Sequence, residues 1–303
     1  MTKVVITGAS GFVGQNLMVY LQKSNIEVVS LSLRHSDWAQ HQPLDGTAII
    51  HLAGKAHDTS DTSDSDAYFK INRDLTIELF NVFLKSNVRD FFYFSSVKAV
   101  ADTVGGMLDE NIVGYPQTPY GKSKLEAEEY LLKQMLPYGK RIFIIRPCMI
   151  HGPGNKGNLN LLYKVVEKGL PWPLASFNNQ RSFVSIDNLN YLIEEMLSEK
   201  SVPSGIYNFA DDETLSTNDL VSVIAHNLNR SPRLCYISPT LIKNMVRIGD
   251  FIPFPLNSER LKKLTESYVV SNDKIKKALR IDRLPLTARE GLEITFKSFS
   301  DKS

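Results

Sequence analysis

The sequence predicts an α/β fold, a doubly wound parallel sheet with a smaller C-terminal lobe. Two observations carry this: short apolar runs alternate with amphipathic segments up to Pro147, and glycine and proline break the pattern beyond it. The runs Val4–Thr7, Val28–Leu33, Ala48–Leu52, Phe91–Ser95 and Ile142–Arg146 are nearly continuous in apolar character, as strands covered on both faces are. Helical patterns lie between them at Gly14–Gln22, Ala67–Lys85 and Tyr120–Met135. Strand, helix, strand in repetition implies right-handed crossovers and a parallel sheet. Beyond Pro147, the residues Gly152, Pro153, Gly154, Gly157, Pro171 and Pro173 punctuate a loop-rich region around one helix, Leu159–Lys168. Strands at Arg181–Ile186 and Gly205–Phe209 enclose a helix at Asp187–Leu197. A helix at Asp219–Leu228 and a strand–helix pair within Ser267–Leu279 follow. The expected division is interleaved: residues 1–151 with about 183–210 form the larger lobe, and about 152–182 with 211–303 the smaller.

Composition narrows the function classes. The chain has 303 residues, 43% of them apolar and 22% charged, as an ordinary globular protein does. A net charge of +2 offers no basic field for nucleic acid. No apolar run reaches the ~18 residues of a membrane span, and MTKVVITGAS reads as a strand entering a turn, not as a signal peptide. Cys148 and Cys235 have no ligand spacing, so reduced thiols and a cytoplasmic location are expected. The six histidines form no zinc-like cluster, and no metal is expected. His51 ends an apolar strand, where a hydrogen-bonded structural role suits it. The stretch Asp58–Asp66 (DTSDTSDSD) reads as a solvated acidic loop.

Three motifs carry chemistry. Thr7-Gly8-Ala9-Ser10-Gly11-Phe12-Val13-Gly14 links the first strand to the first helix. Its glycines permit a tight turn whose N–H groups approach a pyrophosphate at the helix N-terminus, in the manner of a Rossmann-type domain. The spacing is one residue wider than the commoner fingerprint, so its weight comes from its position after a strand. Second, Thr118 and Pro119 start a helix that puts Tyr120 and Lys124 on one face. An ammonium beside a phenol favours the ionised form, so Lys124 is expected to lower the Tyr120 pKa. Third, Ser95 and Ser96 follow a strand, and ligands in open parallel sheets bind beyond the strands' carboxyl ends. Each motif alone is common; their convergence on one sheet edge gives them meaning.

Together with IIHLAG (49–54), YFKINRDL, FFYFSS (91–96), PYGKSK (119–124), RPCMIHGPG (146–154) and RSFVSIDN (181–188), these motifs resemble the extended short-chain dehydrogenase/reductase superfamily. The similarity is to its nucleotide-sugar epimerase/dehydratase/reductase branch and spans nearly the whole chain. The resemblance implies Tyr120 as acid/base, Lys124 as the residue that orients the nicotinamide ribose, Ser96 as holder of the reacting sugar oxygen, and Asn72 as support. It places Gly8, Ser10, Gly11, Phe12, Val13, Gly14, Leu52, Ala53, Gly54, Lys124 and Pro147 around the cofactor. Arg181 and Asn158 match positions that bind the nucleotide diphosphate, and Lys98 joins Ser96 and Tyr120 on the substrate side. Arginine suits such a role because its fork pairs with phosphate oxygens.

Two departures refine the expectation. Dehydratases of this branch carry Asp-Glu after the active-site hydroxyl residue; Val97 and Lys98 stand here, which speaks against 4,6-dehydration. The acid that selects NAD at the end of the second strand is replaced by Ser32, with Arg34 close behind. Either Arg34 meets a 2′-phosphate, favouring NADP with NAD possible, or it is an ordinary solvated cation. The stretch His35–Gly46 is also short for the usual adenine contact. The resemblance implies reduction of a UDP-linked 4-keto-sugar at C4, with a UDP-hexose 4-epimerase as the alternative and a non-catalytic NADP-binding regulator as the alternative of another class. It also implies a homodimer formed through helices of about 67–85 and 120–136.

Overall fold

The structure, a computed structural model, describes residues 2–35, 38, 44–55, 65–155, 157–249 and 257–300. Strand β1 (Lys3–Thr7) enters α1 (Phe12–Lys23), and β2 (Glu27–Leu31) returns beside β1 in parallel. The chain then crosses over, and β3 (Ala48–His51) pairs with the opposite edge of β1. A short helix Ser65–Tyr68 and a π-helical turn Phe69–Asp74 lead into α2 (Leu75–Lys85) and then β4 (Asp90–Phe94) beside β3. After the two-residue β5 (Met107–Leu108), α3 (Pro119–Lys133) delivers β6 (Arg141–Pro147) alongside β4. Next, β7 (Met149–His151) leaves this sheet, followed by α4 (Asn158–Glu167), β8 (Arg181–Ser185) and α5 (Ile186–Ser198). The sixth central strand, β9 (Gly205–Phe209), pairs with β6. Beyond it come β10 (Thr214–Leu215), α6 (Thr217–Asn227), α7 (Pro239–Gly249), α8 (Ser258–Thr265), β11 (Val269–Val270), α9 (Asp273–Leu279) and α10 (Ala288–Ser300).

The central sheet is a parallel, Rossmann-like sheet of order β2-β1-β3-β4-β6-β9. Alternate residues feed its two faces. Val4, Ile6, Ile50, Phe92, Phe143 and Ile145 pack beneath α1 and α5. Val5, Ile49, Phe91, Tyr93, Ile142 and Ile144 pack beneath α2 and α3. Because both faces are covered, β3 and β4 are buried throughout, which is why they read as continuous apolar runs. A separate core, with Leu159, Trp172, Phe183, Ile224 and Phe296, lies beneath α4, α6 and α10.

The structure redraws several elements. The helix expected over 67–85 is interrupted by the π-helical turn, and the strand expected to reach Leu33 stops at Leu31. Residues 181–209 serve both sheets: β8 pairs with β7 and β10 in a three-stranded sheet, whereas β9 joins the central one. Similarly, α9 packs on β9, so Ile275 and Leu279 share the central core. The strand β7 and the helices α7, α8 and α10 were not expected. Residues 58–64 of the acidic stretch, and most of 36–43, lie outside the described residues.

One buried histidine ties the middle of the sheet together. Thr76 Oγ1 donates to the Asn72 carbonyl at 2.8 Å, leaving its oxygen to accept from His51 Nε2 at 2.9 Å. His51 Nδ1 then accepts from Thr7 Oγ1 at 2.7 Å, which itself accepts from the Ala53 N–H at 3.2 Å. Burial, helped by the Lys124 charge, lowers the His51 pKa to about 3.

This ring gives stability a pH dependence. The unfolded imidazole takes a proton near pH ~6.5, the folded one only far below, so unfolding takes up a proton between these values. The contribution is complete above pH ~6.5 and declines on acidification by up to ~1.4 kcal/mol per pH unit. His51→Gln retains a donor and an acceptor and should flatten that decline in urea unfolding series run at pH values of about 7, 6 and 5. Parallel declines in the two proteins would show that His51 does not titrate on unfolding.

Candidate functional site

The sheet order changes direction at β1, whose neighbours β2 and β3 lie on opposite sides, so a crevice opens beyond the carboxyl ends of β1 and β3. Gly8 turns there with φ +70°, and a Cβ on it would stand 2.6 Å from the Ala53 nitrogen. A Cβ on Gly14 would run into the Gly8 carbonyl oxygen and lie 2.7 Å from Ala9 Cα. Gly11 caps α1 without a side chain, its N–H donating to the Gly8 carbonyl at 3.0 Å, and the first turn holds no acid. No side chain competes for the free N–H groups, and the helix dipole favours an anion there. Ser10 and Gly11 are exposed, and Phe12 and Val13 half-buried. The facing wall is Leu52, Ala53 and Gly54, with the Leu52 N–H bonded to the Thr7 carbonyl at 3.2 Å. This backbone fits a dinucleotide pyrophosphate. Ser32 and Arg34 follow β2, both exposed, and Pro147 ends β6 on the same sheet edge.

The reactive side chains gather at the adjoining strand end. Thr118 caps α3 by accepting from the Gly121 N–H at 3.2 Å, and Pro119 occupies the first turn. Tyr120 and Lys124 therefore project one turn apart. The Ser96 hydroxyl stands beside the Tyr120 phenol, near enough to lower its pKa, with the Tyr68 ring edge-on at 6.2 Å. Lys124 is buried, its Nζ donating to the Phe94 carbonyl at 2.8 Å. A Cβ on Gly54 would sit 3.2 Å from that Nζ and 3.0 Å from Asn72 Oδ1, so only glycine fits against them. Asn72 lies in the π-helical turn, where its side chain accepts from the Lys55 N–H at 2.8 Å and donates to Ser123 Oγ at 3.2 Å. π-Bulges of this kind recur at functional sites.

The electrostatics correct one expectation. Burial raises the Tyr120 pKa above the usual phenol value, offset in part by the Ser96 hydroxyl. The direction is thus opposite to the expected lowering, and the Lys124 ammonium donates instead to the Phe94 carbonyl. Burial in turn lowers Lys124 to about 8, against an opposing pull from Glu128. Tyr120 thus holds its proton at neutral pH.

Behind this cluster stands an ion pair absent from the sequence reading. Arg146 Nε donates to Glu128 Oε1 at 3.0 Å and Oε2 at 3.1 Å, both side chains being buried. Ser95 donates to the same carboxylate, which separates the two serines: Ser95 faces inward and Ser96 faces Tyr120. The signal for Glu128 was its position one turn beyond Lys124 on the buried side of α3.

On the far side of the cleft, Arg181 Nη1 donates to the Lys263 carbonyl at 2.7 Å. Lys98 Nζ donates to the Asp102 carbonyl at 2.7 Å and lies 4.4 Å from the centre of the Tyr268 ring. Burial lowers the Lys98 pKa, with the Arg181 charge adding to the effect. Lys98 and Arg181 therefore converge about Tyr268. Asn158 stands apart, exposed at the start of α4, with no hydrogen bond to Ser96, Tyr120 or Arg181 among the described residues. Among the described residues there is no cluster of three or more His, Cys, Asp or Glu able to hold a metal, and no helix is long and apolar enough to cross a membrane.

Known proteins resemble the chain in sequence and in fold. The chain is 30% identical over 249 residues to UDP-glucose 4-epimerase of Vibrio cholerae, covering 75% of this chain and 76% of that protein. It is 28% identical over 297 residues to N-acetyl-alpha-D-glucosaminyl-diphospho-ditrans,octacis-undecaprenol 4-epimerase of Escherichia coli O157:H7, covering 90% and 84%. The solved structure of RMD from Pseudomonas aeruginosa complexed with NADPH shares the fold, with a TM-score of 0.75 at 19% identity over 99% of this chain and 100% of that one. The model of the NAD dependent epimerase/dehydratase family matches residues 4–210, and the chain belongs to that family.

Proposed function

We propose that this protein is an NAD(P)-dependent oxidoreductase acting at C4 of a UDP-linked hexose, with reduction of a 4-keto-sugar as its net reaction. The observation that carries this reading is the gathering of Ser96 and Tyr120 beside the glycine turn, with Lys124 and Asn72 beneath them. A bound nicotinamide supplies or receives hydride. Tyr120 gives or takes the proton of the C4 oxygen, Ser96 holds that oxygen, and Lys124 orients the ribose. Arg181 binds the diphosphate, Asn158 contributes to that site from the start of α4, and Lys98 lies on the substrate side with Ser96 and Tyr120. A phenol that keeps its proton suits reduction, in which the first demand on Tyr120 is donation.

NADP is the favoured cofactor because Ser32 and Arg34 stand where an acid would select NAD. The retained Tyr120 and Lys124 weigh against a non-catalytic regulator. A cytoplasmic homodimer through helices of about 67–85 and 120–136 completes the proposal; Leu132 and Met135 are exposed on that flank. The names of the two relatives favour a second reading, a 4-epimerase that oxidises C4 and returns the hydride to the opposite face.

Tyr120→Phe should keep cofactor and UDP binding while turnover falls at least ~10²-fold, and Ser96→Ala should lower turnover in a folded protein. Near-normal turnover in Tyr120→Phe removes that residue from the mechanism. A larger loss in Ser95→Ala than in Ser96→Ala would exchange the roles of the two serines.

Arg34→Asp should shift preference from NADP toward NAD by removing an attraction and adding a repulsion at the 2′-phosphate. Fluorescence titration of both proteins with NADPH and NADH reads it directly. Tighter binding of NADH by the unsubstituted protein refutes the NADP reading.

Net reaction is tested by two assays on one preparation. Stoichiometric NADPH oxidation with a UDP-4-keto-6-deoxy-sugar, and little interconversion of UDP-glucose and UDP-galactose, is the expected result. Rapid interconversion without net cofactor oxidation would establish the epimerase instead.

A further inference from the structure

Ser96 opens a turn that is closed on itself and held from outside by one side chain of the C-terminal region. Within the turn, Ser96 Oγ accepts from the Lys98 N–H at 3.2 Å, and Lys98 Nζ reaches the Asp102 carbonyl at 2.7 Å. The Asp102 carboxylate then accepts from the Gln117 N–H at 2.7 Å, the Thr118 N–H at 3.4 Å and Thr118 Oγ1 at 3.2 Å. Thr118 is the cap of α3, so the turn carrying Ser96 and the helix start carrying Tyr120 are joined through Asp102. The fit between them is close: a Cβ on Gly121 would run into the Lys98 carbonyl oxygen.

Tyr268 holds this turn. Its hydroxyl is shared between the Ala101 carbonyl at 2.8 Å and the Val97 carbonyl at 3.1 Å, and the Lys98 ammonium lies over its ring. Its backbone bridges that of Arg181: the Tyr268 N–H donates to the Gln180 carbonyl at 2.8 Å, and the Ser182 N–H donates to the Tyr268 carbonyl at 2.9 Å. Tyr268 is buried, and burial raises its pKa, so the phenol remains a protonated donor. A single residue therefore touches the strand of Arg181 with its backbone and the turn of Ser96 with its side chain.

We infer that Tyr268 is a positioning residue that couples the Arg181 side of the cleft to the Ser96–Tyr120 pair. It deepens the proposed function and rests on the reading of Arg181 as the diphosphate ligand and of Ser96 and Tyr120 as the reacting pair. When Arg181 takes up a diphosphate, the adjoining backbone is fixed, and Tyr268 passes that constraint to the carbonyls of Val97 and Ala101. Ser96 and, through Asp102 and Thr118, Tyr120 are then held in register with the sugar oxygen. Small errors in such placement are costly, ~10²-fold in rate for about 1 Å. Tyr268 itself touches no reacting atom.

The test is Tyr268→Phe, which removes one hydroxyl and keeps the ring. In hydrogen exchange without ligand, amides of residues 97–102 and 115–120 should exchange ~10-fold faster in the variant, with the central strands 90–94 and 142–146 unchanged. Adding UDP should protect the same two segments in the unsubstituted protein and not in the variant. Turnover should fall ~10-fold while the KM for the nicotinamide cofactor stays within about twofold, a split that general destabilisation does not produce. Equal exchange in both proteins, with and without UDP, overturns the inference. If the unsubstituted protein binds no UDP, the substrate reading fails, while exchange without ligand still reads whether Tyr268 holds the turn. Should Tyr268→Phe not fold, Asp102→Ala, which leaves no acceptor for Gln117 and Thr118, cuts the same path one step later. It should loosen residues 117–120 and leave 97–100 as they are; unchanged exchange at 117–120 overturns the inference equally.

Discussion

The backbone of the turn at Gly8 lies against the end of β3 at Leu52 and Ala53, closer than any side chain would allow. The hydrogen bonds that fix this contact run from Ala53 through Thr7, His51 and Thr76 to the Asn72 carbonyl. That path joins β1 and β3 to the π-helical turn before α2. Asn72 then carries it to Ser123, beside Lys124 on α3. The glycine turn and the floor beneath Tyr120 are thus parts of one hydrogen-bonded body. Because His51 is wholly buried and neutral, this chain carries direction without carrying charge.

Charge is confined to the next layer. Lys124, Glu128 and Arg146 lie in buried surroundings where an unpaired ion would be expensive, and Glu128 serves both cations. Ser95 and Arg146 occupy the inner side of the carboxylate. The Lys124 ammonium meets the Phe94 carbonyl and the Tyr93 ring, with its nitrogen 4.9 Å from the ring centre. A Cβ on Gly54 would stand 3.2 Å from that nitrogen, so glycine is needed beside it. Tyr120, one turn away, answers to its own burial more than to the lysine.

What could be read in the sequence was local. The glycine turn, the Thr118–Pro119 helix start and the spacing of Tyr120 and Lys124 each fall within a few residues, and the structure shows them at those positions. The central strands were legible because burial on both faces leaves an unbroken apolar run. The π-helical turn at Asn72 was not, since it differs from an α-helix by one hydrogen-bond step and keeps the same residue preferences. The Glu128–Arg146 pair needed a contact between α3 and β6, and Tyr268 a contact across 171 residues to Val97, so neither had a local signature. The helix α10 did have one: Leu292, Thr295 and Phe296 recur at helical spacing, and all three are buried. The misjudged Tyr120 pKa has the same origin, because spacing reveals a neighbour but not the loss of water.

The docking of α10 bears on the order in which the molecule assembles. Its Thr295 hydroxyl meets the ring of His151 at 2.8 Å, although 144 residues separate them, and Gly291 is pressed against Ser185 with no room for a side chain. Phe296 stacks on Tyr163 and completes the smaller core. A contact of such long range forms late, after the loop-closure entropy of everything between has been overcome. During synthesis the glycine turn and α3 emerge long before residue 296 leaves the ribosome, and the cover that Phe296 gives the smaller core comes only after that. The face of the smaller core that α10 covers is therefore the last of that core to close.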